Sequence, residues 1–349
     1  MVTLVPELTM ELTNLFNWLK QPRRITLLTH VRPDGDAIGS ALAMKMYLEK
    51  KGHTANVIAP DDFPDFLDWM PGSKQVYIHQ RNRKTCFAIL TQSDAIFFLD
   101  FNAIKRIEAL GEDVMKLTRP YVSVMIDHHR EPDNFTDYRL WNDHASSTAE
   151  LVYTFMEMAG DIHLLDQDMA ACIYAGIALD TGIFQYSNTT AHVHAIAGKL
   201  MEYGIKVDRI HNDLYNQYGE NRIRFIGYLL SQKLHIIPAY RAAYMSITMA
   251  EAEQYKLSIG DKEGIVNLPL AMKDIDIAVL FTEDKGKVKM SLRSKGDVNV
   301  EILARNFFNG GGHMNASGGS SKQSLEDTIK TFEEVLPKFY AMPEANTNQ

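Results

Sequence analysis

Eight residues within the first 180 of the chain are of types that hold divalent cations, and they come in order: His30, Asp34 and Asp36 in THVRPDGDAIG, Asp100 in FFLDFN, Asp127, His128 and His129 in IDHHR, and Asp180 in IALDTG. Carboxylates this numerous in one cleft repel each other, so they either take up protons or recruit metal. Oxygen ligands with some imidazole and no thiolate suit Mn²⁺ or Mg²⁺ better than zinc, and the histidines tilt the choice toward Mn²⁺. Each residue alone has a plainer explanation. Asp34 and Asp36 serve equally well as caps of a helix beginning near Ala37. Asp100 suits a strand-end turn, and adjacent His128 and His129 point to alternate faces, so that one of them simply packs. Taken jointly, the plain readings weaken, because unpaired buried carboxylates at successive strand ends are costly.

A parallel sheet would gather these residues. The apolar runs ITLLTH from Ile25, TANVIA at 54–59, AIFFLD at 95–100 and VSVMID at 122–127 alternate with helical patterns, which reads as an α/β fold with a mainly parallel sheet and flanking helices. Strands buried on both faces release their polar residues only at their ends, and in such a sheet the carboxyl ends share one crevice. Helical stretches follow at 146–160 and 166–182, the second ending in Asp180. Residues 190–232 are helical throughout and read as a linker. The pattern then changes to strands in LHIIP, RAAYMSITM, DIDIAVLFTED and KVKMSLRSK, the grammar of a smaller C-terminal α/β domain. The expected division is a larger N-terminal domain at 1–189, a helical linker at 190–232, a second domain at 233–342 and a polar, disordered tail at 343–349, with the active-site cleft between the domains.

The second domain carries NFFNGGGHMNASGG. Gly310, Gly311 and Gly312 permit a backbone that cradles phosphate with its N–H groups, to which His313 adds a donor. An ordinary flexible turn explains the same glycines. Arg293 at a strand end offers a fork for phosphate oxygens, and Ser317 lies nearby in sequence. Arg130, directly after the histidine pair, is a further candidate for the phosphate, while Lys295 reads as a solvated charge.

A net charge of −8 and a pI near 5.8 exclude a protein that coats duplex DNA, which needs a broad basic footprint. Cys86 and Cys172 lie within apolar segments and read as buried thiols. MVTLVPELTM lacks the pattern of a signal peptide, and no apolar run reaches the length of a membrane span, so a cytoplasmic location with no membrane partner is expected.

The order H-x3-D-x-D, lone Asp, D-H-H, lone Asp, followed by GGGH in a second domain, resembles the DHH phosphoesterase superfamily over residues 24–320. Within it, the chain is similar to the nanoRNase and pAp phosphatase group. That resemblance implies a DHH catalytic domain, a DHH-associated substrate-binding domain, and two Mn²⁺ ions, with Mg²⁺ as substitute. It places one ion on His30, Asp34 and Asp100, the other on Asp36, Asp100, His128 and Asp180, and leaves Asp127 and His129 to orient ligands or contact the scissile phosphate. The implied reaction removes nucleotides from the end of very short RNA, or phosphate from 3′-phosphoadenosine 5′-phosphate (pAp). Substrates are short oligoribonucleotides or nucleotide phosphates; a homodimer is compatible with the sequence, which leaves the oligomeric state open. Cyclic or linear dinucleotides are the alternative substrates. Pyrophosphate or polyphosphate hydrolysis, and a non-catalytic nucleotide sensor, rank below them.

Overall fold

Short apolar runs separated by turn residues set the strands, and the computed structural model, which describes residues 6–216, 219–257, 260–262 and 264–345, orders them in two sheets. The chain divides into two compact units, Met1–Gln217 and Tyr218–Gln349.

In the first unit, α1 (Pro6–Trp18) precedes β1 (Arg24–Leu28), α2 (Gly35–Lys50) and β2 (Thr54–Ala59). Next come β3 (Tyr77–Ile78), α3 (His79–Gln92), β4 (Ala95–Leu99), α4 (Glu108–Met115), β5 (Val122–Asp127) and β6 (Tyr138–Trp141). The helices α5 (Thr148–Met158), α6 (Gln167–Asp180), α7 (Ala191–Glu202) and α8 (Val207–Tyr215) complete the unit. The strand order is β3-β2-β1-β4-β5-β6 with every pair parallel. This is a doubly wound sheet whose order reverses between β1 and β4, the place where such sheets open a ligand crevice beyond the strand ends. All five residues of β4 are buried, as a central parallel strand requires.

Helix α2 is buried along nearly its whole length and packs closely on α6. Two glycines allow the approach. A Cβ at Gly39 would lie 2.5 Å from the Cys172 carbonyl oxygen, and one at Gly176 would lie 2.7 Å from the Ala149 Cβ. Both cysteines are buried thiols.

The helical stretch at 190–232 divides between the units. Val193, Ile196, Leu200, Ile210 and Leu214 of α7 and α8 join the core of the first unit. In the second, α9 (Glu220–Tyr228) and the π turn after it bury Phe225 and Leu229. The second unit continues with β7 (His235–Ile237), β8 (Ala242–Ile247), α10 (Met249–Gln254), β9 (Ile277–Asp284) and β10 (Lys287–Ser294). It ends with α11 (Val300–Phe307), β11 (Gly311–His313), β12 (Ala316–Ser321) and α12 (Leu325–Tyr340). The sheet order is β11-β12-β10-β9-β8-β7, antiparallel apart from the β8–β9 pair. Of the polar tail expected to be disordered, Pro343–Ala345 form a 3₁₀ turn that buries Ala345, because that residue packs among Phe339 and the side chains of α11 and α12; 346–349 lie outside the described residues. Among the described residues, no helix is long and apolar enough to cross a membrane.

Candidate metal centre

The site grows from the carboxyl ends of β1, β4 and β5 and from two helix ends. After β1, His30 is almost fully buried and its Nδ1 lies 2.8 Å from its neighbour Val31's carbonyl oxygen. With Nδ1 turned to that carbonyl, Nε2 faces Asp100 Oδ2 at 3.3 Å, where a proton or a cation would lie between the two. Burial opposes protonation of His30, but Asp100 and Asp34 outweigh it and raise its pKa to about 9.

Asp34 caps α2: its Oδ1 accepts the N–H groups of Asp36 (3.0 Å) and Ala37 (3.1 Å). Capping and membership of the site are therefore not exclusive, since one oxygen serves the helix. Asp36, in the first turn of α2, is fully buried, and its two oxygens receive the first N–H groups of α5: Thr148 to Oδ2 at 2.6 Å and Ala149 to Oδ1 at 2.8 Å. Burial pushes the Asp36 carboxyl up, and Asp100 and Asp180 push it further.

Asp100 follows β4 with φ of 66°, a left-handed conformation that Asp tolerates better than most residues. Its Oδ1 accepts from Thr148 Oγ1 (3.0 Å) and lies 3.5 Å from His128 Nε2, while Oδ2 faces His30. Burial would raise the Asp100 carboxyl, but the hydrogen bonds from His128 and His30 hold it well below the usual range. His128 also meets Asp180 Oδ2 at 3.2 Å; burial works against its charge, and Asp100 and Asp180 raise its pKa despite that. Asp180 ends α6, where the chain turns through three successive left-handed residues, Gly182, Ile183 and Phe184. Burial raises the Asp180 carboxyl too, only partly offset by His128.

Asp127 closes β5 and is completely buried; one oxygen lies 2.8 Å from His129 Nδ1, and Oδ2 has no hydrogen-bond partner among the described residues. Ligand atoms of His30, Asp34 and Asp100 come within 4.8 Å of one another, as do those of Asp36, His128 and Asp180, and those of Asp100, Asp127 and His129. The donors are oxygens and imidazoles only. Crowded carboxylates whose pKa values are forced apart, together with an orphaned buried oxygen, fit a divalent cation, which would take over the neutralising role that protons otherwise play.

Arg130 is exposed just after the histidine pair, its carbonyl held by Asn102 Nδ2 at 2.7 Å. In the second unit, Arg293 of β10 and His313 of β11 both pair with Ala316 of β12, so the three stand on one rung. Directly opposed residues share a face of the sheet, so arginine and imidazole bracket a small side chain. Gly310, Gly311 and Gly312 enter this hairpin: a Cβ at Gly310 would strike the Gly318 carbonyl oxygen at 1.9 Å, and Gly312 has φ of 145°. The close approach they permit is to β12, while the side of Gly311 is open. Ser317 is buried and donates its hydroxyl to the His313 carbonyl at 2.7 Å.

Three residues of the site escaped sequence reasoning. Thr148 bonds both Asp36 and Asp100, Asn188 Nδ2 reaches the carbonyls of Ser146 (3.0 Å) and Asp180 (3.1 Å), and Trp141 Nε1 donates to the His129 carbonyl at 2.7 Å. The Ser147-x-x-Glu150 spacing of a helix start could have placed Thr148 in the first turn of α5; Ser147 accepts the Glu150 N–H there.

Carboxylates and imidazoles thus gather at the switch point of a parallel sheet, in one chain with a second α/β unit that carries a GGGH hairpin. The DHH family N-terminal domain matches residues 24–177 and the DHHA1 domain residues 244–338; the chain belongs to the DHH family. It is similar to the bifunctional oligoribonuclease and PAP phosphatase NrnA of Thermus thermophilus, at 27% identity over 90% of each chain. The protein of the same description from Bacillus subtilis is 29% identical over 88% of this chain and 92% of its own. Among solved structures, an exopolyphosphatase-related protein from Bacteroides fragilis is 37% identical, covers 98% of each chain and superposes with a TM-score of 0.91.

Proposed function

We propose that the protein is a two-metal, Mn²⁺-preferring phosphoesterase that shortens very short oligoribonucleotides from an end and dephosphorylates pAp. The observation that carries the reading is the place of Asp100, one oxygen of which faces His30 at 3.3 Å and the other His128, itself grouped with Asp36 and Asp180, at 3.5 Å. One cation would sit on His30, Asp34 and Asp100, the other on Asp36, Asp100, His128 and Asp180. Divalent ions bound there supply an activated water and neutralise charge developing on the phosphoryl oxygens.

The chain's own residues do the rest. Asp127 holds His129 by Nδ1, and Nε2 would serve as the proton donor to the phosphate or its leaving oxygen. The buried carboxylate behind the ring fixes its orientation for that step. Trp141 fixes the His129 backbone, so the ring turns about a held pivot. In the second unit, Arg293 and His313 supply donors for the substrate's terminal phosphate, with Ala316 leaving room between them. The choice of short RNA and pAp is supported by the descriptions of the Thermus and Bacillus relatives, which match nearly the whole chain.

Phosphate or mononucleotide release in Mn²⁺ tests this directly, with pAp, a dinucleotide, a longer RNA, a cyclic dinucleotide and pyrophosphate as substrates. Turnover of pAp and the dinucleotide, with little on longer RNA, is the expected result. Preference for pyrophosphate or the cyclic dinucleotide would replace the proposed substrate, and no hydrolysis of any of them would overturn the enzymatic reading.

A further inference from the structure

Thr148, first residue of α5 and fully buried, touches two of the proposed ligands at once. Its N–H donates to Asp36 Oδ2 at 2.6 Å and its hydroxyl to Asp100 Oδ1 at 3.0 Å. A hydroxyl has one proton to give. Thr148 gives it to the Asp100 oxygen on the His128 side, 3.5 Å from that imidazole, while the other oxygen faces His30 at 3.3 Å. The bond therefore fixes the rotation of the Asp100 carboxylate, with one oxygen toward each trio.

The support is rigid. β-branching restricts the Thr148 side chain to few rotamers, and the residue is locked from behind by Asn188, which holds the Ser146 carbonyl, and by Glu150, whose Oε2 accepts the Ser146 N–H at 2.6 Å. The helix start cannot shift without dragging Asp36, whose second oxygen is held by Ala149 at 2.8 Å.

We infer that Thr148 is a positioning residue of the metal centre, coupling Asp36 to Asp100 and setting the orientation in which Asp100 serves both cations. The inference rests on the two-metal reading above. Because the Asp36 bond uses backbone, it survives any side-chain change except proline; substitutions at Thr148 thus isolate the link to Asp100.

The test compares the full chain with Thr148→Val, Thr148→Ala and Thr148→Ser by Mn²⁺ titration, using calorimetry and the electron-spin signal of the bound ions, and then by kcat and KM for pAp in saturating Mn²⁺. Valine and alanine should weaken Mn²⁺ binding about 10- to 100-fold and serine by less than about threefold, the scale seen when groups that orient metal ligands are removed. The loss in turnover should fall on kcat, because the hydroxyl does not touch substrate. Wild-type Mn²⁺ affinity and spin coupling in the valine and alanine variants would overturn the inference, as would a serine variant as impaired as alanine, which would point to packing alone. Should valine unfold the protein, the alanine and serine pair decides by the same criterion. A wild-type chain that binds fewer than two ions would instead remove the two-metal reading, and this inference with it.

Discussion

At the scale of single residues, the site works by dividing labour among near-identical groups. Asp34 gives one oxygen to the α2 cap, Asp36 gives both to α5, Asp100 turns one to each trio, and Asp127 is withdrawn behind His129. Asp127 and His129 belong to proton transfer in this account, so His129→Ala and Asp127→Asn should each lower kcat by about 10²- to 10⁴-fold. Mn²⁺ stoichiometry in both variants should stay at the wild-type value; an ion lost from either would move that residue into the ligand set. The sequence made the ligand candidates legible because their types are rare in apolar runs, and these either end such a run or open the helix that follows it. It left Thr148, Asn188 and Trp141 unread for a physical reason: a hydroxyl, an amide and an indole are common in any loop, and only distance shows what they hold.

Secondary-structure elements set how closely the ligands can converge. The crossing of α2, α5 and α6 depends on Gly176, where a Cβ would lie 2.7 Å from the Ala149 Cβ and 2.8 Å from Asp36 Oδ1. Gly176→Ala should cost about 1 to 3 kcal/mol in stability through overpacking. It should also weaken Mn²⁺ binding, because the added methyl presses on a proposed ligand; a stable variant with unchanged affinity would show that the crossing has slack. In the second unit, Glu251 forms a capping box with Thr248 and accepts from Tyr228 and Lys233. Burial opposes its charge, but Lys233, Tyr228 and Thr248 outweigh that and bring its pKa from 4.5 to about 2. A depressed carboxylate contributes stability that is complete above the unfolded value and disappears as pH falls from 4.5 through 2, here about 3 kcal/mol at most. Urea unfolding of the wild type and Glu251→Gln should therefore differ at pH 6 and converge toward pH 2.5; a constant gap would assign the loss to geometry instead of charge. The alternation of strand and helix was readable from hydrophobic period, including the parallel grammar of the first unit. The place of the switch was not, because the pairing of β1 with β4 is a contact between distant parts of the chain. The glycines of GGGH carried a similar ambiguity: a cradle and a close-packed hairpin require the same residue, and the fold uses them to bring β11 onto β12.

For the whole molecule, the two units carry different chemistry. The first has carboxylates and imidazoles at its strand ends, and the second offers Arg293 and His313 as donors. Arg293→Ala and His313→Ala should leave Mn²⁺ binding intact and raise KM for pAp and a dinucleotide, each by the equivalent of about 1.5 to 3 kcal/mol for one charged hydrogen bond. The small diester bis-p-nitrophenyl phosphate should be spared; equal losses on all three substrates would mean that the second unit is no separate grip. The boundary between the units was harder to read than their existence, because α7, α8 and α9 share one helical period and only burial assigns the first two to one core and the third to the other. The central claim, that Asp100 joins two cations, is tested most directly by counting Mn²⁺ ions and their magnetic coupling in the wild type and in Asp100→Asn, with circular dichroism to confirm the fold. The account predicts two coupled ions in the wild type, and in the variant a folded chain with weakened binding at both positions, no coupling and no turnover. Two coupled ions and near-normal turnover in Asp100→Asn would contradict it.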